Sequence, residues 1–195
     1  MSIYPLDNKA RDMRVFREKA TTVDRLAVSR EVQQALGAWI RGLVSIDNPG
    51  VLIGGLALGF YSKPRYTSDI DILFLSTDKV PKNVEGFRRH RHSAFEDVVN
   101  NVEVEVCTPS SINVPVSLAQ RVSRTSVDHG GLRVASREGL IALKLFGADD
   151  RRRELQDLAD IVGLLDTAEV VDMSEWGLSE KHRAQLEICR SKLQK

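Results

Sequence analysis

The stretch Val51-Leu52-Ile53-Gly54-Gly55-Leu56-Ala57, followed after a polar connection by Asp69-Ile70-Asp71-Ile72-Leu73-Phe74-Leu75, decides how this chain is read. Val51 to Ile53 is a short, wholly apolar run, the pattern of a buried strand. It ends on two glycines and leads into Leu56 to Tyr61, expected as a short helix. Glycine lets the backbone come close to a phosphate, and the N–H groups at a helix start attract anions. In the second stretch Asp69 and Asp71 are two apart on an expected strand. Both carboxylates then leave one face, while Ile70 and Ile72 turn into apolar packing. Two carboxylates ~7 Å apart at the Cα level repel each other unless a cation sits between them. Hard divalent cations take oxygen ligands and share their shell with substrate phosphates. Taken singly, the halves read as a tight strand-to-helix turn and a solvated strand end; together they read as a phosphate cradle beside a metal seat. A dinucleotide fingerprint does not fit. Gly54, Gly55 and Gly59 do not make G-x-G-x-x-G, and the acidic pair comes earlier than the ribose-binding residue expected about 20 positions on.

A third acidic element follows. Val102-Glu103-Val104-Glu105-Val106 alternates strictly, as does a strand buried on one face, with both glutamates on the other. If this strand lies beside Asp69-Ile70-Asp71, one glutamate completes a set of three carboxylates. Such a set can seat one or two metal ions for in-line phosphoryl chemistry. Around these elements the chain reads as helix from about Asp12 to Gly42, a turn at Asp47-Asn48-Pro49-Gly50, and a loop or helix start from Lys79 to Arg91. A short helix opened by Pro115 follows, then a hairpin joining Arg124–Val127 to Leu132–Ala135 through Asp128-His129-Gly130-Gly131. Ser136 is a good N-cap for a helix to about Ala148. Further helices are expected over about Arg152–Leu165 and Ser179–Leu193.

The residues Ile53-Gly54-Gly55-Leu56-Ala57 and Arg65-Tyr66-Thr67-Ser68-Asp69-Ile70-Asp71 resemble the signature of the DNA polymerase beta-like nucleotidyltransferase superfamily. The nearest likeness is to its AbiEii-like branch, which includes toxin components of bacterial toxin–antitoxin systems. The resemblance runs from about Val51 to Leu165. It extends to Glu105-Val106-Cys107-Thr108-Pro109, to Lys144, to Arg152 or Arg153, and to Asp157-Leu158-Ala159-Asp160. It implies a metal-dependent transfer of a nucleoside monophosphate from an NTP to an acceptor. Asp69, Asp71 and Glu105 would be the metal-binding and catalytic acids, for magnesium or manganese. Gly54, Gly55, Ser68 and Lys144 would bind nucleotide, Lys144 at the triphosphate. The acceptor stays open among RNA, a protein and a small molecule, and a cognate antitoxin protein is an implied partner. Gly55 stands where the family usually has serine, and Glu105 where it usually has aspartate. The alternative is a catalytically weak nucleotide- or partner-binding module of the same fold.

The remaining signals are plainer. Asp157 and Asp160 share one face of their helix and are read as structural partners for Lys144 or the arginines 151–153. Arg88-Arg89-His90-Arg91-His92 is a dense basic patch, read as a solvated loop and as the best local candidate for an acidic or nucleic-acid partner. The four histidines show no metal-ligand spacing. Over 195 residues, 42% hydrophobic and 28% charged content suits an ordinary globular chain, and a net charge of +1 argues neither for nor against nucleic acid. Cys107 and Cys189 fit no zinc or disulfide spacing and are read as reduced thiols. With no signal-like or membrane-spanning apolar run, a cytoplasmic location is expected. The expected class is α/β (α+β): a small mixed sheet flanked by helices, with the nucleotidyltransferase fold. The expected parts are an N-terminal helical segment (1–48), a core (49–136) and a helical C-terminal part (137–195).

Overall fold

A computed structural model describes residues 29–43, 50–63, 67–91, 93–148, 154–166 and 170–194. The first described helix, α1 (Arg30–Gly42), is capped by Ser29, whose hydroxyl accepts the Val32 N–H at 3.4 Å. Its buried residues are Val32, Ala35, Leu36, Trp39 and Ile40, the three-then-four spacing that puts one apolar stripe on a sheet. The earlier part of the helix expected from Asp12 lies outside the described residues.

Seven strands form one mixed sheet. They are β1 (Val51–Ile53), β2 (Ile70–Leu73), β3 (Phe87–Arg91), β4 (Ala94–Asp97), β5 (Glu103–Cys107), β6 (Val127–Asp128) and β7 (Arg133–Val134). Their spatial order is β3-β4-β5-β2-β1-β7-β6. β1 runs antiparallel to β2 and parallel to β7, while β2 runs parallel to β5. Leu52, Ile70, Val104 and Val134, which the registers set on one face of the central strands, are fully buried, while Glu105 on the opposite face is exposed. The five other helices described are α2 (Gly54–Leu58), α3 (Val116–Arg124), α4 (Arg137–Gly147), α5 (Glu154–Leu165) and α6 (Glu180–Ser191). The α/β class read from the sequence is therefore what the chain adopts.

One contiguous core runs from Val32 on α1 through the sheet to Leu186 and Cys189 on α6. Trp39 of α1 meets Phe87 and Phe95 edge-on, with ring centroids 5.1 and 5.4 Å away. Two expectations need correction. The segment expected as a loop or helix start up to Arg91 contains strand β3, whose pairing with β4 sets half-buried Phe87 and buried Phe95 against Trp39. Arg124 lies in the last turn of α3 and not in the hairpin, whose paired residues are only Val127–Asp128 and Arg133–Val134. That hairpin is closed by the Asp128 carboxylate, which accepts the Gly131 N–H at 2.6 Å.

Candidate functional site

The site grows from the end of β1. Ile53 pairs with Asp71 across the β1–β2 ladder, so the chain leaving β1 turns directly over the Asp71 side chain. Gly54 makes that turn with φ +68, a left-handed conformation that a side chain resists. A β-carbon on Gly54 would overlap the Asp71 carboxylate, standing 2.7 Å from its Cγ. The first residue of α2 is thus glycine for two reasons, its backbone angle and the carboxylate packed against it. Gly55 behind it is buried in the first turn of the five-residue α2.

On the other side of β2, Asp71 is level with Glu105 of β5 in a parallel register that also joins Ile70 to Val104 and Ile72 to Val106. Residues level across a ladder leave the same face, ~4.8 Å apart at the backbone. The two carboxylates are therefore lateral neighbours, Asp71 half-buried and Glu105 exposed. Asp69 precedes the first residue of β2 and is exposed; Ser68 donates its hydroxyl to Asp69 Oδ1 at 2.9 Å. Continuing the register by one residue sets Asp69 level with Glu103.

Oxygen-only donors side by side on one face fit a hard divalent cation in kind. Among the described residues no three of His, Cys, Asp or Glu stand in position to hold a metal ion together. Gly54, Asp71 and Glu105 are gathered, and Asp69 follows one pleat period away on the same side.

Lys144 belongs to a second group. Its ammonium meets Asp157 Oδ1 at 2.7 Å and Asp160 Oδ2 at 2.8 Å, and all three side chains are buried or nearly so. This is the pairing anticipated for the two aspartates. Gly147, one turn along α4, leaves room for it: a β-carbon there would stand 2.7 Å from Asp157 Oδ2. α4 also packs on α2, which ties this group to the helix that carries Gly55. Arg65, Tyr66, His92 and the arginines 151–153 lie outside the described residues.

The strand placement of the basic patch was not read from the sequence. The row Asp71–Glu105 continues through Ala94 of β4 to Arg91 of β3, and the row of Glu103 continues through Glu96 to Arg88. The basic patch is therefore a sheet edge on the same face as the acids. Arg88 bonds Glu96 at 2.5 Å and Arg91 approaches Glu103 at 3.9 Å. The Arg88 guanidinium, foremost among the causes, holds the Glu96 carboxyl below its ordinary range. The signal that would have found the strand is Phe87 and Phe95, two aromatic residues placed to reach one core through a hairpin.

No protein-family model matches the chain, and no curated protein matches it. Among the described residues, no helix is long and apolar enough to cross a membrane.

Proposed function

We propose that this chain is a metal-dependent nucleotidyltransferase, transferring a nucleoside monophosphate from an NTP to a hydroxyl-bearing acceptor. The observation that carries the reading is the packing of the Asp71 carboxylate against Gly54, with Glu105 level beside it. A phosphate brought to the Gly54–Gly55 backbone would sit next to the acids that share its cation. In this reading the acceptor oxygen forms a bond to the α-phosphorus, the bridging bond to the β-phosphate breaks, and pyrophosphate leaves. Asp69, Asp71 and Glu105 would hold magnesium or manganese, which when bound supplies charge neutralisation on the triphosphate. Glu105, exposed on the sheet face, is assigned to receive the acceptor's proton. Gly54 and Gly55 present backbone N–H groups to phosphate, and Ser68 positions Asp69 through its hydroxyl. An ammonium has three donors, and Lys144 uses two on Asp157 and Asp160, so one is assigned to the leaving pyrophosphate. Membership of a toxin–antitoxin pair rests on the sequence resemblance alone.

A second reading, a nucleotide-binding module with weak turnover, is favoured by one observation: the described acids do not close into a three-ligand group. Labelled NTPs with magnesium and total RNA or lysate separate the two. Transfer of label to an acceptor with release of pyrophosphate, both lost in Asp71→Asn, supports the transferase. Nucleotide binding without release supports the module, and pyrophosphate release by Asp71→Asn at the wild-type rate overturns the site.

A further inference from the structure

The edge strand β3 is the most cationic surface feature described. Arg88, Arg89, His90 and Arg91 are consecutive and all exposed, with side-chain exposures of 68% for Arg88 and 67% for Arg91. β3 is outermost in the sheet, so among the described residues its far side meets no other strand. Most cationic edges protect a sheet from pairing with another sheet, and a lysine or two suffices for that. Here the arrangement is more particular. Arg88 and Arg91 share the acid-bearing face, and each lies in a register row that also holds an acid of β5, Glu103 or Glu105. Two inter-strand steps separate β3 from β5, so the cations lie ~10 Å from Glu105 at the backbone level.

We infer that β3 is a binding strip for single-stranded nucleic acid, held by its phosphodiester backbone so that a strand end reaches the Asp71–Glu105 face. This deepens the transferase reading and rests on it, because it names the acceptor as a strand end. Charge complementarity selects the occupant. Arginine forks match phosphate oxygens two at a time, and a guanidinium carries five N–H donors, few of them used by a single glutamate. The standing Arg88–Glu96 and Arg91–Glu103 pairs are exposed and are worth little, so phosphates can displace them. The strip covers the four residues Arg88 to Arg91, and the register shift between Arg89 and Arg91 sets its two arginines opposite Glu96 and Ala94, two residues or ~7 Å apart, which suits a few phosphates of a flexible strand. Phe87 is turned onto Trp39 and Arg89 lies over Phe95, so neither phenyl ring is offered to a base; the exposed ring of the strip is the His90 imidazole, on which any base can stack alike. Binding is through the backbone and independent of base sequence.

The test uses the full chain with fluorescein-labelled 20-nucleotide RNA and DNA strands of mixed sequence, titrated across a salt series. Both strands bind alike, and log affinity falls linearly with log salt. Each phosphate contact on a single strand contributes a slope of about 0.7, so Arg88→Gln/Arg91→Gln lowers the slope by about 1.4. Arg88→Lys/Arg91→Lys, which keeps the charge, restores most of it and shows that loss in the glutamine variant is not loss of fold. Absence of strand binding by the wild type at 50 mM salt overturns the strip, as does an unchanged slope in the glutamine variant. Competition by polyglutamate as effective as unlabelled RNA at equal charge also overturns it, in favour of an acidic protein. Magnesium–NTP thermal shift and pyrophosphate release, read in parallel, report on the transferase itself. If they are present while strand binding fails, only the strip is wrong; if they are absent from the wild type, the transferase reading fails whatever the strands do.

Discussion

At Gly54 a hydrogen stands where any other residue would drive a β-carbon into the Asp71 carboxylate. Gly54→Ala therefore carries two penalties. The left-handed backbone strains by about 1–3 kcal/mol, and Asp71 must leave its position. The expected outcome is an unfolding free energy from urea melts lowered by at least that amount, together with loss of magnesium-dependent NTP binding. A variant that loses stability but binds NTP normally would remove Gly54 and Asp71 from the site. The same scale ranks the two glutamates of β5, which strand alternation alone leaves equal. Glu105 is level with Asp71, whereas Glu103 is opposite Glu96 and within 3.9 Å of an Arg91 guanidinium nitrogen. Glu105→Gln is expected to raise the magnesium concentration needed for turnover and to lower the rate, and Glu103→Gln to leave both nearly unchanged. A magnesium titration of both variants at saturating NTP decides, and the reverse order would assign the ligand to the row of Asp69.

Helices α4 and α5 are joined by charges where most helix pairs use only apolar contacts. Lys144 is 14% exposed and sits between Asp157 and Asp160, themselves at 8% and 7%. Removing the cation leaves two desolvated carboxylates facing each other, and breaking a buried pair in this way costs about 3–5 kcal/mol. Lys144→Met is thus expected to unfold at markedly lower urea, and Lys144→Met with Asp157→Asn and Asp160→Asn to recover much of the loss. Stability of the single variant equal to wild type would show that the group is solvated. Elements whose pattern matched their surroundings were legible in the sequence: the apolar β1, the alternating β2 and β5, the Ser136-capped α4. β3 was not, because Arg88-Arg89-His90-Arg91 on an exposed edge carries no apolar alternation and reads like a loop. Its strand state comes from pairing with the neighbouring β4 and from Phe87 against Trp39, 48 residues away in sequence. The gathering of Asp71 with Glu105 was likewise conditional on strand order, which local pattern does not encode, and Gly54 could be read as a cradle but not as a residue touching Asp71.

For the molecule as a whole, two groups shifted by burial, half-buried His129 and buried Cys189, contribute to the pH dependence of stability. Burial pushes the His129 imidazole below its ordinary 6.5, so the folded state binds that proton less readily than the unfolded chain. Its contribution is present above about 6.5 and is lost as pH falls toward the folded value. Burial pushes the Cys189 thiol above 9.0, so its contribution is present below that value and is lost as pH rises toward the folded one. Urea melts across pH should show a plateau between these limits, with His129→Gln flattening the acid side; an unchanged acid limb would place the titration elsewhere. Ligand linkage acts on the same global equilibrium. One core runs from α1 through the sheet to α6, so a ligand held at the Gly54–Asp71–Glu105 face stabilises that core as a unit. At a concentration of 100 times Kd the gain is about 2.7 kcal/mol, which for a chain of this size raises Tm by about 5–11 °C. Magnesium with NTP is expected to produce that rise, while NTP with EDTA or magnesium alone produces little. Asp71→Asn should abolish the rise and, by relieving repulsion with Glu105, leave the unliganded Tm equal or slightly higher. A rise that persists in EDTA, or in Asp71→Asn, would mean that the nucleotide binds away from the acids.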